Sequence, residues 1–372
     1  MSTKQGWFFL LFICYPFHVL FGQQGSHCSD SLATPETKTL YKNLYHLIGG
    51  NTLLGHQDDP CYGVGWKYVN GKSDIRDITE QYPALYGFDL GRIELGHLYN
   101  LDSVPFEKTQ LFIREAYDRG GVITLSWHLN NPLTGKTAWD NKPGAVSSIL
   151  PGGGKNALYT VWLDRVADFL NNLKGKNGEH IPVILRLFHE LNGGWFWWGK
   201  DQCTPDEMKQ LWRYTIHYLR DTKEVHNLLY AYNTDKFNSG AEFTERYPGD
   251  QFIDILGFDI YQAGAIQANE VFIPFFNREL DMIDSIAASH NKIPALTEFG
   301  YNLIPDSDWW TKVFYPAVAS HKIVYALAWR NADMKQYFVP YPGSSSANDF
   351  KNMSEKGKIL LEKGIKEKNI YQ

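Results

Sequence analysis

Eight short apolar runs, alternating with amphipathic stretches along the chain, constrain this fold more than any other feature of the sequence. They are Thr52–Gln57, Ala84–Leu90, Gly121–His128, Pro182–Glu190, Asn227–Asn233, Asp254–Tyr261, Ile293–Gly300 and Val324–Asn331. Each is continuously apolar rather than alternating, as expected of parallel strands covered on both faces. Helical signals fall between them. Thr204-Pro205-Asp206-Glu207 reads as a capping box with proline at the first helical position. Tyr159–Lys174 carries Trp162, Val166, Phe169, Leu170 and Leu173 at helical spacing. Val271–Ser289 and Trp309–Ala319 are similar, and Ser354–Lys368 is expected to close the chain as a helix. Eight such repeats predict an α/β fold, a (β/α)8 TIM barrel, over residues 36–372. An open doubly wound sheet would show a glycine-rich turn after its first strand, and none is present. Gly152-Gly153-Gly154-Lys155 follows no strand and reads as a flexible loop.

The N-terminus reads differently. Lys4 precedes an apolar run from Trp7 to Phe21, after which Gly22 opens a polar stretch. At about fifteen residues the run is short for a membrane span and has the form of a signal peptide over 1–22, followed by a linker over 23–35. The expected location is therefore outside the cytoplasm, in the periplasm or at the surface of a bacterium. Lipid anchoring at Cys28 is the less favoured alternative, because Gly25-Ser26-His27 lacks the usual aliphatic and small residues before such a cysteine. With Cys14 lost in the signal, Cys28, Cys61 and Cys203 remain, at no metal-binding spacing. A Cys61–Cys203 disulfide stays open.

Twelve Trp, 22 Tyr and 22 Phe make up 15% of the chain. Flat apolar faces with a polar edge suit sugar rings, which show C–H patches on one face and hydroxyls at the rim. Core filling accounts for about half of these aromatics on the same reasoning. A net charge of −5 with interspersed signs provides no basic stripe for nucleic acid.

In barrels the reactive residues sit at the C-terminal ends of strands. Those ends hold His56-Gln57-Asp58-Asp59, Asp89, His128, His189-Glu190, Asn233, Asp259 with Tyr261, Glu298, and Trp329-Arg330-Asn331. Two of them, Glu190 and Glu298, are carboxylates ending the fourth and seventh strands. Burying two acids costs several kcal/mol unless each is paired. Salt bridges to a neighbour such as Arg186 are the plain explanation. Retaining glycoside hydrolysis is the functional one: one carboxyl protonates the leaving oxygen while the other, about 5–5.5 Å away, attacks the anomeric carbon. The aromatic loop Trp195-Phe196-Trp197-Trp198 after Glu190 would raise its pKa by desolvation, which suits the acid/base. Glu298, able to accept from Tyr261 and Arg186, suits the nucleophile.

The run from Arg186 to Gly199, Arg-Leu-Phe-His-Glu-Leu-Asn-Gly-Gly-Trp-Phe-Trp-Trp-Gly, resembles the acid/base signature of glycoside hydrolase family 26, mainly β-1,4-mannanases. Gly55-His56-Gln57-Asp58-Asp59 with Gly65-Trp66, Tyr86-Gly87-Phe88-Asp89, Trp127-His128 with Asn131-Pro132, Gly257-Phe258-Asp259-Ile260-Tyr261 and Thr297-Glu298-Phe299-Gly300 resemble further motifs of that family. Leu187 stands where the family often has proline. The resemblance implies that His189 orients the Glu190 region and sugar hydroxyls, and that Tyr261 hydrogen-bonds Glu298. It further implies that Trp329 stacks on the sugar in the −1 subsite, that His128 contacts glycone hydroxyls and that Trp195 supports the aglycone. Asp89 joins them as a substrate-site candidate. β-Mannan or manno-oligosaccharides are the implied substrate, with xylan and mixed-linkage glucan as alternatives.

His56-Gln57-Asp58 lacks the two-histidine spacing of metal-dependent barrel hydrolases, so neither a metal nor any other cofactor is expected. A monomer without a transmembrane span is the expected form. A glycan-binding protein without catalysis is the reading from another class, and the presence of both carboxylates disfavours it. Whether the enzyme cuts internally or releases short products turns on loops such as Asn130–Tyr159, where Trp139 lies, and stays open.

Overall fold

The computed structural model describes residues 27–372. The expected signal peptide, Cys14 and the first linker residues lie outside that range. The strands are β1 (Thr52–Gln57), β2 (Leu85–Asp89), β3 (Val122–Ser126), β4 (Val183–Arg186), β5 (Leu228–Asp235), β6 (Ile255–Gln262), β7 (Ile293–Tyr301) and β8 (Tyr325–Ala328). All pair in parallel with their sequence neighbours, and β8 returns to β1 through Leu53↔Tyr325 to His56↔Ala328. The protein is a closed (β/α)8 barrel.

Two-residue alternation sorts the barrel interior into layers. Leu53, Leu85, Val122, Ile184, Leu229, Ile255, Ile293 and Tyr325 share one buried cluster at the N-terminal end, with Leu40, Tyr41 and Leu44 of the helix Pro35–His46. Above them the interior narrows: a Cβ on Gly87 would land 2.0 Å from the Gln57 amide oxygen. The uppermost inward positions are polar, and there the apolar core gives way to the site. No helix among the described residues is long and apolar enough to cross a membrane.

Several expectations are corrected. Residues expected to be linker are docked from Ser29 onward. Its N–H and hydroxyl donate to Asp254 at 2.6 and 2.9 Å, and Asp30 pairs with His226 at 2.8 Å. The fourth strand stops at Arg186 and the eighth at Ala328; Leu187 and Phe188 are buried in the turn that follows, and Trp329 keeps one backbone bond, to Phe299. The closing helix is shortened to Glu362–Glu367, and a separate helix, Ala347–Ser354, ends where it was expected to begin. Between them Ile359–Leu360 adds a short strand beside Thr52 and Leu53. Trp309–Ala319 divides into a π-helical turn, Trp310–Phe314, and an α-helix, Tyr315–Ser320. The Asn130–Tyr159 stretch contains a helical turn at Ala145–Ile149, and the next helix starts at Asn156. Cys61 and Cys203 are unbridged thiols: Cys61 faces Asp58, and Cys203 faces the carbonyls of Trp198 and Gly199.

The capping box of the helix Pro205–His217 forms as read, with the Thr204 hydroxyl accepting from the Glu207 N–H and the Glu207 carboxylate from the Thr204 N–H. Thr204→Ala is expected to lower stability by about 1 kcal/mol. Urea unfolding should show a lower midpoint at an unchanged slope.

Candidate active site

Arg186, the last residue of β4, is 1% exposed and lies at the centre of the polar layer. Its guanidinium bonds Asp259 of β6 at 3.0 Å and Glu298 of β7, and reaches Asn233 of β5 at 3.4 Å. Tyr261 donates to the other Glu298 oxygen at 2.7 Å. A β-bulge aims Glu298. The β6–β7 register runs Phe258↔Leu296 and then Asp259↔Glu298, and the β8 register skips at the same place. The extra residue, Thr297, turns its hydroxyl onto Asp259 at 2.7 Å. Without the bulge, alternation would point Glu298 away from the barrel axis.

Glu190 arrives from a loop. Beyond Arg186 the chain turns through Phe188 (φ 46°) and Glu190 (φ 53°), both in the left-handed region that non-glycine residues seldom occupy. The turn is held by Gly193 N–H to the Glu190 carbonyl (2.9 Å) and Trp198 Nε1–H to the His189 carbonyl (2.9 Å). Gly193 must lack a side chain, since a Cβ there would sit 2.4 Å from the Trp195 ring. That ring donates Nε1–H to Glu190 Oε2 at 2.7 Å.

Glu190, Asp259 and Glu298 each place a carboxylate oxygen within 4.8 Å of the other two. Among the described residues this is the cluster able to hold a cation, and the Arg186 guanidinium already serves two of its members. Burial and Glu298 push the Asp259 carboxyl up against the pull of Arg186. Glu190 has no guanidinium contact. Burial, then Glu298 and Asp235 beside it, raise its pKa from 4.5 to about 8. The two glutamates thus sit in opposite environments, one paired and one set to keep its proton.

The remaining candidates surround this pair. Asp89 ends β2 and bonds His128 Nδ1 at 2.6 Å, and His128 Nε2 meets His189 Nε2 at 3.0 Å. Both His128 nitrogens are therefore engaged, and His189 is 1% exposed. Burial alone would lower the His128 pKa, but Asp89 outweighs it and the net shift is upward. Burial, His128 and Arg186 hold His189 well down. Trp329 lies just past β8, its ring centroid 6.3 Å from that of His128. Trp139, absent from the expected site, stacks on the His128 ring at 5.2 Å and 18°. The sequence signal for it was a lone tryptophan in a polar, glycine-bearing loop. Two hollows open among the loops that follow the strands. One of about 510 Å³ lies by Tyr62, Trp66, Asp102 and Arg330, and one of about 350 Å³ by Asn192, Trp195, Asp235 and Phe237.

Two differently poised carboxyls across the C-terminal mouth of a (β/α)8 barrel are the arrangement of a glycoside hydrolase. The family model described as glycosyl hydrolase family 26 matches residues 29–343, and the chain belongs to that family. It is 32% identical over 358 residues to a mannan endo-1,4-beta-mannosidase of Bifidobacterium adolescentis, covering 90% of this chain and 35% of that protein. Over 209 residues it is 33% identical to a mannan endo-1,4-beta-mannosidase of Bacillus subtilis, covering 52% and 55%. The chain thus spans about a third and about half of those two curated relatives. Among solved structures it resembles a GH26 beta-mannanase from Bacteroides ovatus at 44% identity and a TM-score of 0.86, covering 89% of this chain and 96% of that one. A modular endo-beta-1,4-mannanase from Cellulomonas fimi matches at 31% identity and 0.83, covering 91% and 78%.

The fold holds Glu190 protonated, so ionising it opposes folding. Native stability from this residue is complete below the ordinary carboxyl value of 4.5 and is lost as pH rises through about 8. Each pH unit in that window costs up to about 1.4 kcal/mol. Glu190→Gln, which keeps the Trp195 hydrogen bond, should melt above the wild type at pH 8, with the gap closing by pH 4. Thermal unfolding from pH 4 to 9 checks this; a constant gap would count against a raised Glu190.

Proposed function

We propose that this protein hydrolyses β-1,4-mannosidic linkages with retention of configuration, Glu298 acting as nucleophile and Glu190 as acid/base. The observation that carries this reading is the pairing of the two carboxyls within 4.8 Å in opposite electrostatic settings. That separation fits direct attack and falls short of the roughly 6.5–9.5 Å that inversion uses to admit a water. Mannan as substrate draws on the printed activities of the relatives, a mannan endo-1,4-beta-mannosidase and a GH26 beta-mannanase.

In the first step Glu298, paired with Arg186 and oriented by Tyr261, attacks the anomeric carbon. Glu190 passes its proton to the departing glycosidic oxygen, and a mannosyl ester forms on Glu298. In the second step Glu190, now ionised, takes a proton from water. That water attacks the same carbon and releases Glu298. A carboxyl near 8 suits both duties, since it is protonated at neutral pH and basic enough to deprotonate water later. Trp195 bonds one Glu190 oxygen and leaves the other for the proton. Trp329 and the hollow by Arg330 lie on the β8 side, and Trp195 with the hollow by Asp235 on the β4 side, so sugars on either side of the scissile bond have a surface. Aromatic faces there suit pyranose rings. Secretion by the N-terminal segment, a single domain and a monomeric state complete the reading.

Glu298→Ala is expected to reduce sugar release from linear mannan by about 10⁴-fold or more, and Glu190→Gln by about 10²–10⁴-fold. Proton NMR of the first product should show the β-anomer; an α-anomer would defeat the nucleophile role. kcat/KM should fall along an alkaline limb near pH 8 that Glu190→Gln removes.

A further inference from the structure

The Asp89–His128–His189 chain has a protonation pattern that its hydrogen bonds decide. Asp89 Oδ1 accepts from the Gly91 N–H at 2.6 Å, and Oδ2 from the Ser126 hydroxyl at 2.6 Å and His128 Nδ1 at 2.6 Å. So loaded with donors, Asp89 is the acceptor and His128 carries a proton on Nδ1. Between the two imidazoles, at 3.0 Å, only one proton fits: two N–H groups would collide and two lone pairs would repel. If that proton belongs to His189, Asp89 is a buried charge without a counterion. If it belongs to His128, the imidazolium neutralises Asp89, and His189 accepts at Nε2 as a neutral ring whose Nδ1 is buried without a partner. Burial favours the second arrangement, since an uncompensated buried charge costs several kcal/mol. The charged groups facing His128 are Asp89 from β2, Asp102 from the loop after it, Arg186 and His189 from β4 and its loop, and Glu298 from β7. Their balance holds the ring up, while His189 is held down.

The imidazole's free surface is its face, and that face is covered by Trp139 in near-parallel stacking, 5.2 Å between centroids. Trp139 is 51% exposed, on the long loop after β3, and also touches Phe196. We propose that Asp89 and His189 hold His128 as a cation against the indole of Trp139, so that a protonated histidine pins the long loop's tryptophan as one wall of the sugar cleft. Asp89 and His189 are then positioning residues that act through His128, and Trp139 is a substrate-positioning residue. The proposal's kinetic arm rests on the glycanase reading; its spectroscopic arm does not.

A cation–π contact of this kind is worth about two- to thirtyfold in an equilibrium. In Asp89→Asn the cation loses its counterion, so KM for mannohexaose should rise several-fold, with kcat affected less. Trp139→Ala should raise KM similarly, and the double variant should be no worse than Trp139→Ala alone. Additive KM effects would overturn the coupling. Should Asp89→Asn fail to fold, wild type and Trp139→Phe suffice: a protonated imidazole quenches an indole stacked on it. The fluorescence difference between the two should therefore be small at neutral pH and grow only at alkaline pH. A difference that is flat from pH 5 to 10 would overturn the proposal. If the wild type released no sugar from mannan, the proposed function would fail while the fluorescence result kept its meaning.

Discussion

One guanidinium sets the terms for the whole cleft. Arg186 is buried at the end of β4 and touches acids on β6 and β7, so its desolvation is offset only while both stay in place. Removing one partner from such a cluster typically costs about 3–5 kcal/mol, so it ties three neighbouring strands together as well as fixing charge. It also ranks the acids. One positive charge cannot neutralise three carboxylates within 4.8 Å of each other, and the one it does not touch is Glu190. In the proposed mechanism the acid/base and the nucleophile are distinguished by which of them reaches Arg186.

Backbone irregularity does the aiming. A regular β7 would carry Glu298 outward, and a β4 extended to Glu190 would place it by strand alternation rather than at the loop's edge. The bulge at Thr297 and the left-handed residues Phe188 and Glu190 correct both. Strain of this kind costs on the order of 1–3 kcal/mol per residue and persists only where surrounding contacts over-determine it. Here those contacts are the Thr297–Asp259 bond, the Trp198–His189 bond and the fit of Trp195 over Gly193. Rigidity in the aromatic loop is therefore a condition of the site's geometry.

The same irregularities limit what the sequence discloses. Eight apolar runs announce eight strands because burial on both faces leaves a plain compositional trace, and the Thr204 capping box is legible because its chemistry is local. Glu190, Glu298 and the Tyr261 contact were legible too, through strand ends and the resemblance. The strand limits at Arg186 and Ala328 were not: Leu187 and Phe188 are as apolar as strand residues, and only three-dimensional packing shows that they turn. Nor does any local pattern reveal that His128 spends both nitrogens on Asp89 and His189, since those partners lie 39 and 61 residues away.

The abundance of aromatics divides along the same line. Trp127, Trp197, Trp198, Trp212, Trp309 and Trp310 are buried in the apolar core. Trp139, against His128, and Trp195, against Glu190, remain substantially exposed, with Trp329 partly so. Each is fixed by a different polar anchor: stacking on His128, an N–H to Glu190, and a backbone bond to Phe299 at 3.0 Å. A tryptophan is a good sugar platform only when its orientation is settled in advance, because ordering it on binding would consume the contact energy it provides. On the proposed glycanase reading, tying these rings to Glu190, His128 and the β7 backbone makes substrate alignment and the electrostatics of Glu190 and Glu298 depend on one set of contacts.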